Sequence, residues 1–322
     1  MRGSRSMLAL AIWVGPLIAG AADAPAPLAP PIRVDSEEIT EIVIQAPEPR
    51  YVAPTRRDRI GRIWAPVYIN GKGPFRMVLD TGASRSGVTA SVAAALGLVP
   101  DVSASVRLRG VTGTSVVPTI QVDTLLVGDV LITGSKLPIL ADAFGGAEGI
   151  LGYEGLVDRR VLIDFHRDLI IISRSHDQPA GSGFITIPFT LEHGRLLVTK
   201  VQVGHVSAKA IIDTGGQVTV ANNALRDALE RKNNKSPTTI DHIEGVTSEI
   251  QDGEGRRAPA IQFGSMQIVA QRMIFADMRI FEHWKLTNEP AIIVGMDALG
   301  LLDTLIIDYR RHELQLRMRA ET

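Results

Sequence analysis

Cysteine is absent from the 322 residues, aromatic side chains make up only 5%, and neither sign of charge prevails, with 34 Lys+Arg against 35 Asp+Glu. The first absence excludes a disulfide framework, a thiolate nucleophile, a Cys-ligated zinc or iron–sulfur centre and a lipidated cysteine. A formal net charge of −1 supplies no long-range field to gather nucleic acid or an anionic bilayer, so neither is an expected partner. The histidines at 166, 176, 193, 205, 242, 283 and 312 show no HxH or HExxH spacing, and no metal or other cofactor is expected. What abounds is glycine, with 30 residues, beside Val, Ile and Leu: a composition of short strands and tight turns. The length suits one large domain or two of ordinary size.

Arg2 and Arg5 precede an apolar stretch at residues 7–18 and small residues at 19–22. A positive start, a short apolar run and a small-residue cleavage site describe a secretory signal peptide over residues 1–22. The run is shorter than the about 20 residues of a membrane-spanning helix. Export without disulfides fits a bacterial periplasm. The other reading is a retained N-terminal anchor, with the Pro-rich 24–31 as its spacer. Residues 23–59 are charged and Pro-interrupted, and read as a leader that lays one strand, from the run at 39–44, on the body.

The body is a repeat. PVYINGKGPFRMVLDTG at 66–82 aligns without a gap with TKVQVGHVSAKAIIDTG at 199–215, a spacing of 133. Gly110-Val111-Thr112 matches Gly245-Val246-Thr247 at 135, Ile150-Leu151-Gly152 matches Ile293-Val294-Gly295 at 143, and VLIDF at 161–165 matches LIIDY at 305–309 at 144. Four blocks in one order, with slowly growing offsets, are the mark of a duplication. Each copy reads as a Gly-turned hairpin, an apolar strand ending at Asp-Thr-Gly, a short helix (90–98 and 222–232), several strands, the apolar-apolar-Gly block, a short helix and a last strand. The polar SRSHDQPAGSG at 173–183 separates the copies. The lobes are placed at 60–176 and 184–318, with 177–183 as linker.

One Asp-Thr-Gly triplet would be an ordinary turn; two, each after a pair of aliphatics and each at the same place in a repeat, are not coincidence. A carboxylate at a sequestered strand end responds to its neighbours more than to bulk water. The glycine lets the chain turn sharply and brings amide N–H groups to the carboxylate. The Thr hydroxyl can hydrogen-bond to the opposite copy's backbone. Two such loops face to face hold two carboxylates that share one proton and one water, which is the equipment for general acid–base hydrolysis of an amide.

With these residues the chain resembles the retropepsin-like aspartic proteases of the bacterial exported kind, as two fused copies. The resemblance spans about residues 60–318 and rests on Asp-Thr-Gly-Ala at 80–83, Asp-Thr-Gly-Gly at 213–216 and the blocks ending at Gly152 and Gly295. It implies a mostly β, bilobal fold of two homologous β lobes with short helices. It implies Asp80 and Asp213 as the catalytic dyad, Thr81 and Thr214 as its clamp, and Gly82, Ala83, Gly215 and Gly216 as the rest of the supporting loops. Gly110, Val111, Thr112 and Gly113, with Gly245, Val246 and Thr247, fall where such proteins carry flap tips. With both triplets on one chain, the expectation is a monomeric endopeptidase acting on an extended polypeptide.

Two features depart from the pattern. Gly216 stands where the family has Ala, Ser or Thr, and no Tyr lies near Gly110, which points away from a pepsin-type flap. Asp164 and Asp308, in the IDF and IDY strands, read as turn caps. Ser182 lacks the G-x-S-x-G frame and reads as spacer, RKNNKS at 231–236 as a solvated helix end, and Trp64 and Trp284 as packing residues. Against the endopeptidase stand two other readings: an exported peptide-binding protein of the same fold with weak or lost catalysis, and an exported scaffold. The presence of both aspartates favours the enzyme.

Overall fold

Strands of two to fourteen residues, rich in Val, Ile and Leu, build three sheets among the described residues. The computed structural model describes residues 41–45 and 64–319, apart from 128–129, 143–145, 168, 176–178, 194, 231–237, 258 and 270–271. All the described residues belong to one compact unit within Val34–Thr322. The signal-peptide stretch at 1–22, the leader outside Glu41–Gln45 and the basic run at 231–236 lie outside the described residues. Among the described residues no helix is long and apolar enough to cross a membrane.

The first copy forms a seven-stranded sheet in the order Trp64–Ile69, Lys72–Leu79, Gly149–Leu151, Gly87–Thr89, Val130–Leu140, Thr114–Val127, Asp101–Arg109. Trp64–Ile69 also pairs with Thr114–Val127, which closes the sheet on itself. The second copy repeats the plan in a larger sheet, in which Val206–Ile212, Ala291–Val294 and Val220–Ala221 take the places of Lys72–Leu79, Gly149–Leu151 and Gly87–Thr89. In both copies the strand that ends at the triplet runs parallel to the apolar-Gly strand, Leu79 beside Leu151 and Ile212 beside Val294. Buried on both faces, such strands read as unbroken aliphatic runs, MVL and AII before the aspartates.

The last hairpins of the copies meet in a third sheet of six strands, where Arg159–Asp164 pairs antiparallel with Leu302–Asp308. Glu41–Gln45 lies at one edge of it, against Leu169–Arg174, and Ile185–Pro188 at the other. Asp164 caps the turn after its strand by accepting the His166 and Arg167 amides at 3.0 and 2.9 Å. Asp308 accepts the Arg311 amide at 3.0 Å and the Ser175 hydroxyl at 2.6 Å. The shared sheet therefore fixes the two copies relative to each other, with the two triplet loops facing one another.

Candidate active site

Each aspartate follows the last residue of its buried strand, and its own amide donates to the apolar-Gly block, Asp80 to the Leu151 carbonyl at 3.0 Å and Asp213 to that of Val294 at 3.1 Å. The blocks are anchored in turn: Tyr153 N–H donates to Ala83 O at 3.0 Å and Met296 N–H to Gly216 O at 2.8 Å. Gly152 and Gly295 have no room for a side chain, since a Cβ on either would stand 2.6 Å from a loop carbonyl, that of Arg85 or Val218. Those two glycines press against the loop backbone, which is why an apolar-apolar-Gly pattern recurs beneath each triplet.

The threonines tie the loops together. Thr81 Oγ1 donates to Ile212 O at 2.7 Å and accepts the Thr214 N–H at 3.0 Å; Thr214 Oγ1 donates to Leu79 O at 2.7 Å and accepts the Thr81 N–H at 3.1 Å. Both residues are buried, so four backbone groups of two different lobes depend on two hydroxyls for their partners.

The carboxylates lie side by side between these loops. Asp80 Oδ1 accepts the Gly82 N–H at 2.8 Å, while Asp213 Oδ1 accepts both Gly215 N–H at 2.9 Å and Gly216 N–H at 3.0 Å. Asp213 is buried and Asp80 partly open. Burial, then the charge of Asp213, then the hydrogen bond between the two side chains push the Asp80 carboxyl far above the usual carboxylate range, to about 8, against the pull of the Gly82 and Ala83 amides. Two carboxyl groups this close resist double ionisation, so the pair keeps a shared proton to higher pH than a lone carboxylate would.

A second pair of contacts repeats around the site and escaped the reading of the sequence. Ser86 donates its amide to Glu154 Oε1 at 2.7 Å and its hydroxyl accepts the Gly152 N–H at 3.1 Å. In the other copy Thr219 gives its amide and hydroxyl to Asp297 at 3.0 and 2.6 Å and accepts the Gly295 N–H at 3.2 Å. Burial pushes the Asp297 carboxyl up, opposed by the Thr219 donors. The signal was present: Ser86 and Thr219 lie at the triplet spacing of 133, Glu154 and Asp297 at the block spacing of 143.

The residues read as flap candidates are hairpin tips. Residues 110–113 join Asp101–Arg109 to Thr114–Val127, and 245–249 join Thr239–Glu244 to Ile250–Arg256. The tips cross. Val111 packs into the second lobe's apolar cluster, with Ile211, Ile293 and Trp284, and Val246 into the first lobe's, with Trp64, Ile150 and Ala83. At the crossing a side chain on Gly110 would stand 2.9 Å from Val246 Cγ2, and one on Gly245 would meet Thr112 Oγ1. Trp64 and Trp284 are both buried, so they form the walls of these clusters.

The helix Arg279–His283 receives both tips. Ile280 N–H donates to Val111 O at 3.4 Å, Arg109 Nη1 lies 2.9 Å from Nε2 and 3.0 Å from Nδ1 of His283, and Arg279 pairs with Glu249 at 3.3 Å. Burial, then the Arg109 charge and the nearby His193, pull His283 below its ordinary range, which keeps a ring nitrogen free to accept from Arg109. The helix lies where the repeat spacing grows from 135 to 143, in a stretch longer in the second copy than in the first. Among the described residues, no group of three or more His, Asp or Glu is placed to hold a metal ion.

Residues 65–154 match the family model of aspartyl proteases. Over that stretch the chain is similar to aspartyl proteases, and its mostly β architecture agrees with that likeness. Among solved structures it is similar to a retropepsin-like aspartic protease from Rickettsia conorii, at 23% identity over 42% of this chain and 92% of that one, with a TM-score of 0.30. It is also similar to basic 7S globulin from soybean, at 9% identity over 88% of this chain and 97% of that one, with a TM-score of 0.45. No curated protein matches the sequence. The family match covers the first triplet, and the second lies in the other half of the duplication.

Proposed function

We propose that this chain is an aspartic endopeptidase whose reaction runs between Asp80 and Asp213. The observation that carries the reading is the raised Asp80 carboxyl beside Asp213, held by two loops that exchange threonine hydrogen bonds. A water lying between the carboxyl groups loses a proton to the ionised one as it attacks the amide carbon. The protonated one gives its proton to the carbonyl oxygen, producing a tetrahedral diol that collapses with protonation of the leaving nitrogen. Both halves of the pair are on one chain, so a monomer suffices. The substrate is an extended polypeptide segment laid in the cleft beneath the hairpin tips. Export to a bacterial periplasm belongs to the same reading and rests on the residues at 1–22 alone.

A peptide-binding protein without catalysis would keep the fold, but it has no need of two hydrogen-bonded carboxylates sharing a proton. The deciding experiment is digestion of a denatured protein substrate by the purified chain. Cleavage stopped by a peptide-like aspartic protease inhibitor and indifferent to a chelator supports the enzyme. Binding of that inhibitor with no cleavage under any pH would leave the binding protein in its place.

A further inference from the structure

Two arginines, one from each copy, flank the loop that carries the first acid. Arg85 is exposed five residues beyond Asp80, on a loop that turns back on itself as Ala83 N–H donates to Asp80 O at 3.3 Å. Arg195 comes from the second copy. It is exposed as well, and its guanidinium lies over the Tyr153 ring, 4.9 Å from the centroid. Tyr153 is buried, its amide held by Ala83 O and its ring packed edge-on against Tyr309. Gly152, just before it, presses on the Arg85 carbonyl.

Among the described residues neither arginine makes an ion pair or a side-chain hydrogen bond. Glu154 holds the Ser86 amide through Oε1 at 2.7 Å and pairs with neither. An unpaired arginine on a surface is ordinary. Here one of the two is stacked on a buried ring, which orients its planar fork, and such a fork matches the geometry of a carboxylate.

The other copy is built differently. Val218 stands at the triplet spacing from Arg85, and its carbonyl meets Gly295 as that of Arg85 meets Gly152. It is partly buried and packs on the cluster of Ile211, Ile293 and Trp284. Arg62, at the same spacing from Arg195, lies outside the described residues. A duplicated cleft is therefore cationic after one acid and apolar after the other. An extended chain advances about 3.3 Å per residue, so side chains two or three positions from the cut lie roughly 7–10 Å along it, past the acids themselves.

We infer that the cleft selects its substrate by charge on one side only: Arg85 and Arg195 receive a carboxylate side chain two or three positions from the scissile amide, and Val218 receives an apolar side chain at the matching place across it. The inference rests on the peptidase reading and names the class of polypeptide, acidic on one flank of the cut and apolar on the other.

The test uses the full chain and three internally quenched decapeptides with the same apolar centre. One carries Glu at the second and third positions before the cut, one carries Glu at those after it, and one has Gln at all four. The parent is expected to cleave one of the two Glu peptides with a kcat/KM about tenfold above that of the Gln peptide, and the other with no advantage. At about 1 M NaCl the advantage should shrink to about twofold. Arg85→Gln and Arg195→Gln should each reduce the ratio, both together should abolish it, and Arg85→Lys should keep part of it. Equal rates on all three peptides, equal preference for both Glu peptides, or a ratio that survives both changes overturns the inference. A melting temperature that falls in step with the lost preference overturns it too, because the arginines would then be holding the fold. Fluorescein-labelled versions with a non-cleavable reduced central bond, followed by anisotropy, separate the two readings. If the parent cleaves nothing but binds one Glu version about tenfold more tightly than the Gln version, the peptidase reading fails alone; equal binding of all three in a parent that cleaves peptides sinks this inference alone.

Discussion

Gly82 lies against the carboxyl group of Asp213: a Cβ built on it would stand 2.9 Å from the carboxyl carbon and from Oδ1. Gly215 meets Asp80 in the same manner. Each triplet thus closes on a residue whose missing side chain makes room for the other copy's acid. The third position of the motif serves the opposite half of the site as much as its own turn. Gly82→Ala is expected to force the acids apart and lower kcat by about two orders of magnitude, the usual cost of a displacement near 1 Å. The variant's circular dichroism should match the parent's. Near-normal turnover in it would mean that the close approach is dispensable.

Asp80→Asn and Asp213→Asn should each remove hydrolysis, since one amide cannot replace either partner in sharing a proton. Loss of a positioned acid or base costs on the order of 10² to 10⁴ in rate. The two variants are expected to be equally inactive, and the double variant no worse, because the pair acts as a unit. A single variant retaining a tenth of parental activity would refute the paired mechanism.

Thr81→Val strands two buried groups, the Ile212 carbonyl and the Thr214 amide. At about 1–3 kcal/mol for each group left unsatisfied, the stability of the chain should drop by several kcal/mol, while Thr81→Ser stays within about 1 kcal/mol of the parent. Equilibrium denaturation with urea measures both. Equal stability of the valine and serine variants would show that the hydroxyl bonds contribute little.

The duplicated blocks told most of this in advance, because the residues that make them recur cannot vary freely. Asp80 and Asp213 stand out through a spacing that also aligns Gly71 with Gly204, and the aliphatic pairs before them mark strands buried on both faces. The crossing of the tips was not legible. Val111 and Val246 look like any loop valines until the third sheet sets the copies face to face, and each then lies in the other lobe's core. The helix Arg279–His283 was hidden for a related reason. It has no counterpart in the first copy among the described residues, so the repeat that exposed everything else passed over it.

That helix should govern how readily the tips part. Arg279 pairs with Glu249 at the surface, where an ion pair is worth about 0.2–1 kcal/mol. Arg279→Gln should therefore speed hydrogen exchange at the Ser248 and Ile280 amides by up to about fivefold, the kinetic equivalent of that energy. Ser248 N–H donates to Gly245 O and Ile280 N–H to Val111 O, so both report on tip contacts. The Asp80 and Asp213 amides, bonded beneath the site, should exchange as in the parent. Uniform acceleration across all four would point to general destabilisation instead of a latch.

The raised Asp80 carboxyl makes a prediction about pH whose sign follows from linkage. Its ordinary value of 3.8 rises to about 8 in the folded chain through burial first, then the charge of Asp213 and the hydrogen bond with it. Below about pH 4 folded and unfolded chains both hold the proton, and its contribution to stability is complete. Between about 4 and about 8 the folded chain keeps a proton that the unfolded chain has lost, so stability declines as pH rises through that window. Above about 8 the loss is complete. Asp80→Asn carries no such proton, and the difference in unfolding free energy between the parent and this variant should change steadily from pH 4 to 8 in the parent's disfavour. In the proposed mechanism the same proton serves hydrolysis, so kcat/KM should fall on the alkaline side as pH passes about 8. A hydroxyl beside the acid should favour its ionised form, and Ala83→Ser is the substitution that adds one; at Gly216 a new Cβ would lie 2.9 Å from Asp213 Oδ2, which spoils that position for the purpose. One such bond is worth about 1.5–3 kcal/mol at most, partly offset by lost water, so the alkaline limb of Ala83→Ser should move down by about one pH unit. A parent–variant stability difference that is flat from pH 4 to 8, or a limb that does not move in a folded and active Ala83→Ser protein, would show that the shared proton is not held on Asp80.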